Sequence, residues 1–207
     1  MERIQYKKYP ITIGLIVICA LVYIYTSLRF SFDMTAYEGL EAGAFNPIYV
    51  FSGHQFYRLI SANFIHFGIM HIVVNCYSLF GLGCFIESSL GSKRYCIVVV
   101  VSALSTTLLP GVLYLINGYG ANTVSGGISG VIFGVIGALG ALALVYRNRF
   151  MDIFRSLALN IVLMLAISFL VPSISLSGHV SGLIGGFVST YIILMILKRK
   201  QTPKYYN

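Results

Sequence analysis

Residues 129–146 read SGVIFGVIGALGALALVY, an apolar run headed by a serine, with small residues at Gly130, Gly134, Gly137 and Ala141. As an α-helix this run is about 27 Å long, close to the ~30 Å hydrocarbon core of a bilayer. Its small residues form a stripe on which a second helix can pack closely inside lipid. Comparable apolar runs occupy about residues 11–28, 69–86, 95–116, 156–171 and 179–197, so that six membrane spans are expected. Only 10% of the 207 residues are charged, against roughly 25% in a soluble domain. The mean hydropathy is +0.85. The expected fold is an all-α polytopic membrane protein, a six-transmembrane-helix bundle forming a single membrane domain.

The formal net charge of +8 does not point to nucleic acid, because the basic residues sit at the ends of apolar runs. With both ends of a six-span chain in the cytoplasm, 12 of the 14 Lys and Arg residues lie inside, and Arg29 and Arg58 lie outside. That bias is the topological signature of an integral membrane protein, and an odd number of spans scrambles it. Residues 30–68 then form an outer loop whose mixture of aromatic and polar residues suits the membrane interface. Residues 198–207 form a basic cytoplasmic tail. The first run is read as a retained helix rather than a signal peptide, because Tyr25-Thr26-Ser27-Leu28-Arg29 offers no small-x-small cleavage site. Cys19, Cys76, Cys84 and Cys96 lack metal-ligand spacing and are read as packing residues. A compact chain of this kind fits a prokaryotic plasma membrane.

Polar residues at membrane depth are costly and face the protein interior. Ser129 lies in Gly126-Gly127-Ile128-Ser129-Gly130. Glycines allow a tight turn there, and free N–H groups at a helix start favour developing negative charge. These are the needs of a serine attacking a carbonyl, and a plain N-cap serine is the bland alternative. His179 opens the sixth run, followed on its face by Gly182 and Gly186. If that face meets the Gly130/Gly134 stripe, His179 reaches Ser129 and can take its proton. His71 and Asn75 share a face at i and i+4. They are candidate donors to an oxyanion, with interhelical polar packing as the alternative. A zinc site of the His-Glu-x-x-His kind is not expected, since Ile72 and Asn75 stand where that motif needs Glu and His. No metal or cofactor is expected.

Tyr57-Arg58, His66, His71-x-x-x-Asn75, Gly127-Ile128-Ser129-Gly130 and His179-x-x-Gly182-x-x-x-Gly186 together resemble the rhomboid family of intramembrane serine proteases. The resemblance covers roughly residues 58–187. It implies a Ser129–His179 dyad without a carboxylate. It also implies an oxyanion hole made from the Ser129 N–H with the side chains of His71 and Asn75. Arg58, His66 and Glu87 take the place of structural polar residues bracing the outer loop and the second helix. The implied activity is hydrolysis of peptide bonds in or near transmembrane segments of other membrane proteins, on the extracytoplasmic side. Non-catalytic relatives that bind or escort membrane clients are the alternative, and they lack the nucleophile or the base. The midplane carries no Asp, Glu, Lys or Arg, which speaks against a transporter. The chain departs from the family pattern at Tyr57, usually Trp, at Gly178, often Ala, and at Ile128. His179 needs an orienting contact, which a group such as a tyrosine on the second, fourth or fifth run could give; Tyr77 and Tyr146 are sequence candidates, Tyr146 lying too near the cytoplasmic end of its run, and no residue is singled out.

Overall fold

The computed structural model describes residues 8–170 and 175–201. Expectations resting on Arg3, Lys7, Lys204, the tail beyond Gln201 and the end of the fifth run at Val171 lie outside the described residues. The described chain is helical, with an isolated bridge between Phe45 and Ser125. Its helices are α1 (Pro10–Arg29), α2 (Ala36–Ala42), α3 (Pro47–Phe51), α4 (Arg58–Ser61), α5 (Ile69–Leu90), α6 (Ser92–Asn117), α7 (Ser129–Val145), α8 (Arg147–Leu170) and α9 (Leu176–Gln201). Among them α1, α5, α6 and α9 are long and apolar enough to cross a membrane, while α7 is apolar but shorter. Leu21, Val73, Leu159, Val162 and Ile184 are exposed on the bundle's periphery. Apolar surface of that extent is what lipid, not water, accommodates.

The α7 helix is the axis of the bundle. Its residues are buried almost all round, from Gly130 to Ala143, the mark of a core helix rather than an amphipathic one. It packs on α5, α6, α8 and above all α9. Glycines set how close these helices come. A β-carbon on Gly182 would overlap the Gly130 carbonyl, and one on Gly186 would overlap the Gly134 carbonyl. At 17 residues, α7 is about 25 Å long, shorter than the hydrocarbon core.

The fifth apolar run begins at Ser156 in the sequence, but α8 starts nine residues earlier, at Arg147. The charges of residues 147–155 end the apolar pattern without ending the helix. Arg149 and Phe150 donate their N–H groups to the Tyr146 carbonyl at 3.0 and 3.2 Å, so one residue separates α7 from α8.

Short-range chemistry shapes the segment between α1 and α5. A reciprocal capping box between Thr35 and Glu38 starts α2, and Gly43 ends it with φ 105°. Asn46 caps α3 by accepting from the Ile48 and Tyr49 N–H groups. The same Asn46 amide donates to the Ala121 and Thr123 carbonyls, both at 2.9 Å, and so ties the segment to the α6–α7 connection. Tyr9, at the N-cap of α1, offers no side-chain cap, and Glu87 from α5 supplies it. The Glu87 carboxylate accepts from Ile11 N–H (3.1 Å), Thr12 N–H (2.9 Å) and Thr12 Oγ1 (2.8 Å). An anion at a helix N-terminus meets both the free N–H groups and the dipole.

Candidate active site

Ser129 is the first residue of α7, and the turn before it is set from outside. Gly127 has φ 113°, a left-handed conformation that glycine adopts without strain. The segment between α1 and α5 holds this turn through several backbone bonds. Phe45 and Ser125 exchange N–H···O bonds of 2.8 and 3.0 Å, and Gly127 N–H donates to the Ala62 carbonyl at 2.9 Å. Ile128 N–H donates to His66 Nε2 at 3.4 Å, while His66 Nδ1 donates to the Phe64 carbonyl at 3.1 Å. His66 is fully buried. Burial, with His71 alongside, lowers its pKa from 6.5 to about 4, so the imidazole stays neutral and can accept from Ile128.

That segment is clamped in turn by Arg58. The guanidinium is buried and donates to the Leu40 carbonyl (2.7 Å), the Ala44 carbonyl (2.8 Å) and Gln55 Oε1 (2.7 Å). It also lies over the Tyr49 and Tyr57 rings at 5.0 and 5.3 Å. Tyr57, standing where the family usually has Trp, keeps an aromatic face against the cation.

The α9 helix brings the imidazole. Ser175 Oγ accepts from Gly178 N–H at 3.1 Å, a side-chain cap at the start of α9. His179 follows within the first turn and is buried. Ser129 Oγ lies 2.8 Å from His179 Nε2. On the other side of the ring, His179 Nδ1 lies 2.8 Å from Ser168 Oγ of α8. Ser168 donates its own proton to the Met164 carbonyl at 2.7 Å, so its oxygen is free to accept from Nδ1–H. That places the proton on Nδ1 and the lone pair of Nε2 toward Ser129. The Phe133 ring stacks on the imidazole with centroids 4.3 Å apart. Neither tyrosine candidate takes this position. Tyr77 is exposed on the outside of α5, and Tyr146 lies at the far end of α7 beside Lys198.

His71 and Asn75 project from α5 toward the same turn. His71 Nδ1 accepts from Phe67 N–H at 3.5 Å, which leaves the ring proton on Nε2. A β-carbon built on Gly127 would sit 2.7 Å from His71 Nε2 and 3.5 Å from Asn75 Nδ2. Glycine at 127 thus leaves open the space these donors face. Asn75 Nδ2 is buried with no acceptor among the described residues. His71, Asn75, Ser129 and His179 line one cavity of about 660 Å³ together with Met70 and Val74. A second, smaller chamber of about 60 Å³ touches Ser129 from the side of Asn63, Thr106 and Ser175.

The sequence reading missed Ser168, Phe133 and Asn46. Phe133 is four residues after Ser129 and shares its face, so helical periodicity could have found it. Ser168 carried only the signal of a hydroxyl inside an apolar run.

Fold and site define an integral membrane protein of all-α architecture with a serine–histidine pair recessed in its core. The rhomboid domain family model matches residues 53–196, and the chain belongs to the rhomboid family, a family of intramembrane proteases. It is 32% identical over 137 residues to rhomboid protease GluP of Bacillus subtilis (strain 168), covering 64% of this chain and 25% of that protein. It is 33% identical over 143 residues to RHOMBOID-like protein 5 of Arabidopsis thaliana, covering 67% of this chain and 44% of that one. Over 198 residues it is 27% identical to rhomboid protease GlpG of Yersinia pestis (strain Pestoides F), covering 92% of this chain and 65% of that one. The chain thus spans less than two thirds of the length of these relatives.

Proposed function

We propose that this chain is an intramembrane serine endopeptidase that hydrolyses peptide bonds in or near the transmembrane segments of other membrane proteins. The observation that carries the reading is the relay Ser129 Oγ–His179 Nε2 and His179 Nδ1–Ser168 Oγ, each 2.8 Å long. Ser129 Oγ attacks the scissile carbonyl carbon while His179 Nε2 takes its proton. The carbonyl oxygen becomes an oxyanion in the space over Gly127. There the Ser129 N–H, Asn75 Nδ2 and His71 Nε2–H donate to it. One such donor is worth roughly 10²–10³ in rate. The imidazolium, held by Ser168 and stacked on Phe133, then protonates the leaving amine and the C–N bond breaks. Water attacks the acyl-Ser129 ester while His179 Nε2 takes its proton; the imidazolium then returns that proton to Ser129 Oγ as the Oγ–C bond breaks and the new carboxyl terminus leaves. The small chamber beside Ser129 is large enough for one or two waters.

The proposed topology has six spans, both termini cytoplasmic, and the cavity opening toward the extracytoplasmic side, as in a prokaryotic plasma membrane. It is supported by the clustering of Arg94, Arg147, Arg149 and Lys198 at the end of the bundle opposite Ser129. Because nucleophile and base are both present, the protease reading stands ahead of a non-catalytic one. Ser129→Ala is expected to abolish cleavage of a reconstituted helical substrate without altering insertion. A fluorophosphonate probe is expected to label Ser129 only while His179 is present. Cleavage by Ser129→Ala, or equal labelling of His179→Ala, would refute the assignment.

A further inference from the structure

The bundle has a second large cavity, remote from Ser129. It holds about 700 Å³ and lies where the α5–α6 turn, the α7–α8 junction and the end of α9 converge. Since α7 starts at Ser129 and ends at Val145, the two cavities are about 24 Å apart along its axis. Arg94, Arg147 and Arg149 line the second cavity, and its apolar wall includes Leu142, Leu194 and Leu197. No Asp or Glu among the described residues lines it. The nearby carboxylates are engaged elsewhere, Glu87 with the start of α1 and Asp152 with Arg155 at 3.7 Å. Arg147 and Arg149 also stand in the first turn of α8, which carries no acidic residue. The helix dipole disfavours cations there. Retention of positive charge explains which end of the bundle these arginines occupy. It does not explain their convergence from two separate connections on one cavity.

We propose that this cavity binds the headgroup of an anionic glycerophospholipid. The phosphate pairs with the arginines, and guanidinium forks suit phosphate oxygens in a bidentate manner. The first acyl segments lie along Leu142, Leu194 and Leu197, a wall that free inorganic phosphate does not need. Basic pockets between helix ends recognise lipid phosphates through the same chemistry.

The chain contains no tryptophan, so Tyr146→Trp places a single fluorophore at the cavity. The full chain carrying it is reconstituted in nanodiscs doped with brominated phosphatidylglycerol or brominated phosphatidylcholine. Quenching is expected at a mole fraction about tenfold lower for the anionic lipid. Arg147→Gln and Arg149→Gln are each expected to reduce that preference about fivefold, the worth of one basic residue near a membrane surface. The double variant Arg199→Gln/Lys200→Gln, which removes two charges at the same end, more than either single variant, is expected to leave it unchanged. Equal quenching by the two lipids overturns the proposal. So does an equal loss in the Arg199/Lys200 variant, which would make the attraction diffuse surface charge. Displacement by millimolar inorganic phosphate overturns it in favour of a free-anion site. None of these residues lies in the proposed catalytic machinery, so cleavage competence is read independently.

Discussion

Replacing Ser168 with alanine removes an oxygen that no other described side chain supplies to His179 Nδ1. The imidazole stays in place through its stacking on Phe133 at 4.3 Å and its burial, so the loss falls on one hydrogen bond. A buried N–H left without its acceptor costs about 1–3 kcal/mol. The cost grows when the ring becomes an imidazolium in the transition state. If the whole of it is felt there, kcat falls about 5- to 150-fold. The measurement is kcat and KM on a helical substrate in proteoliposomes, for wild type, Ser168→Ala and Ser168→Thr. The expected result is a lower kcat at constant KM in Ser168→Ala, restored by Ser168→Thr, which keeps the hydroxyl and its bond to the Met164 carbonyl. Wild-type kcat in Ser168→Ala would refute the orienting role. So would a loss that threonine does not restore and that tracks a lower Tm.

Gly127→Ala is expected to lose about 10²-fold in kcat and about 1–3 kcal/mol in stability, because alanine is strained at φ 113° and its β-carbon would lie 2.7 Å from His71 Nε2; rates measured below the lowered Tm separate the two losses. Glu87→Gln keeps the shape of the α1 cap but loses its charge, and is expected to cost about 1–2 kcal/mol with kcat unchanged, read as a lower Tm in detergent. His66 is neutral when folded with a pKa of about 4, against 6.5 unperturbed. Its contribution is complete above pH 6.5 and is lost progressively as pH falls toward 4, on the order of 3 kcal/mol in all. Limited proteolysis of residues 30–68 across that window is expected to accelerate in wild type, and the acceleration is expected to flatten in His66→Gln.

Much of this architecture is written in periodicity. The stripe of Gly130 and Gly134 and the spacing of Gly182 and Gly186 carry the approach of α7 to α9, because only hydrogen atoms fit where those carbonyls lie. Charge placement marks where an apolar run ends, and a helix can continue past that point, as α8 does through Arg147–Arg155. What the sequence conceals is bonding between distant segments. Asn46 reaches Ala121 and Thr123 across 75 and 77 residues, and Glu87 caps a helix 75 residues before it. A side chain that satisfies another element's backbone leaves no local pattern. Ser168 is hidden for a further reason: its bond to the Met164 carbonyl is what an idle serine in any apolar helix makes.

That idle-looking bond bears on why the proposed relay ends in a hydroxyl rather than a carboxylate. An ionised carboxylate in a buried, dry site needs further hydrogen-bonding or charged partners. A serine that has already given its proton to a helix carbonyl presents only lone pairs to Nδ1–H. It therefore selects the same imidazole tautomer as a carboxylate while adding no charge to the core. Its weaker stabilisation of the imidazolium leaves more of the work to donors aimed at the oxyanion. In the proposed mechanism that work falls on Asn75, whose buried amide beside Gly127 has no acceptor among the described residues. Loss of the Asn75 amide is accordingly expected to cost more in kcat than loss of the Ser168 hydroxyl.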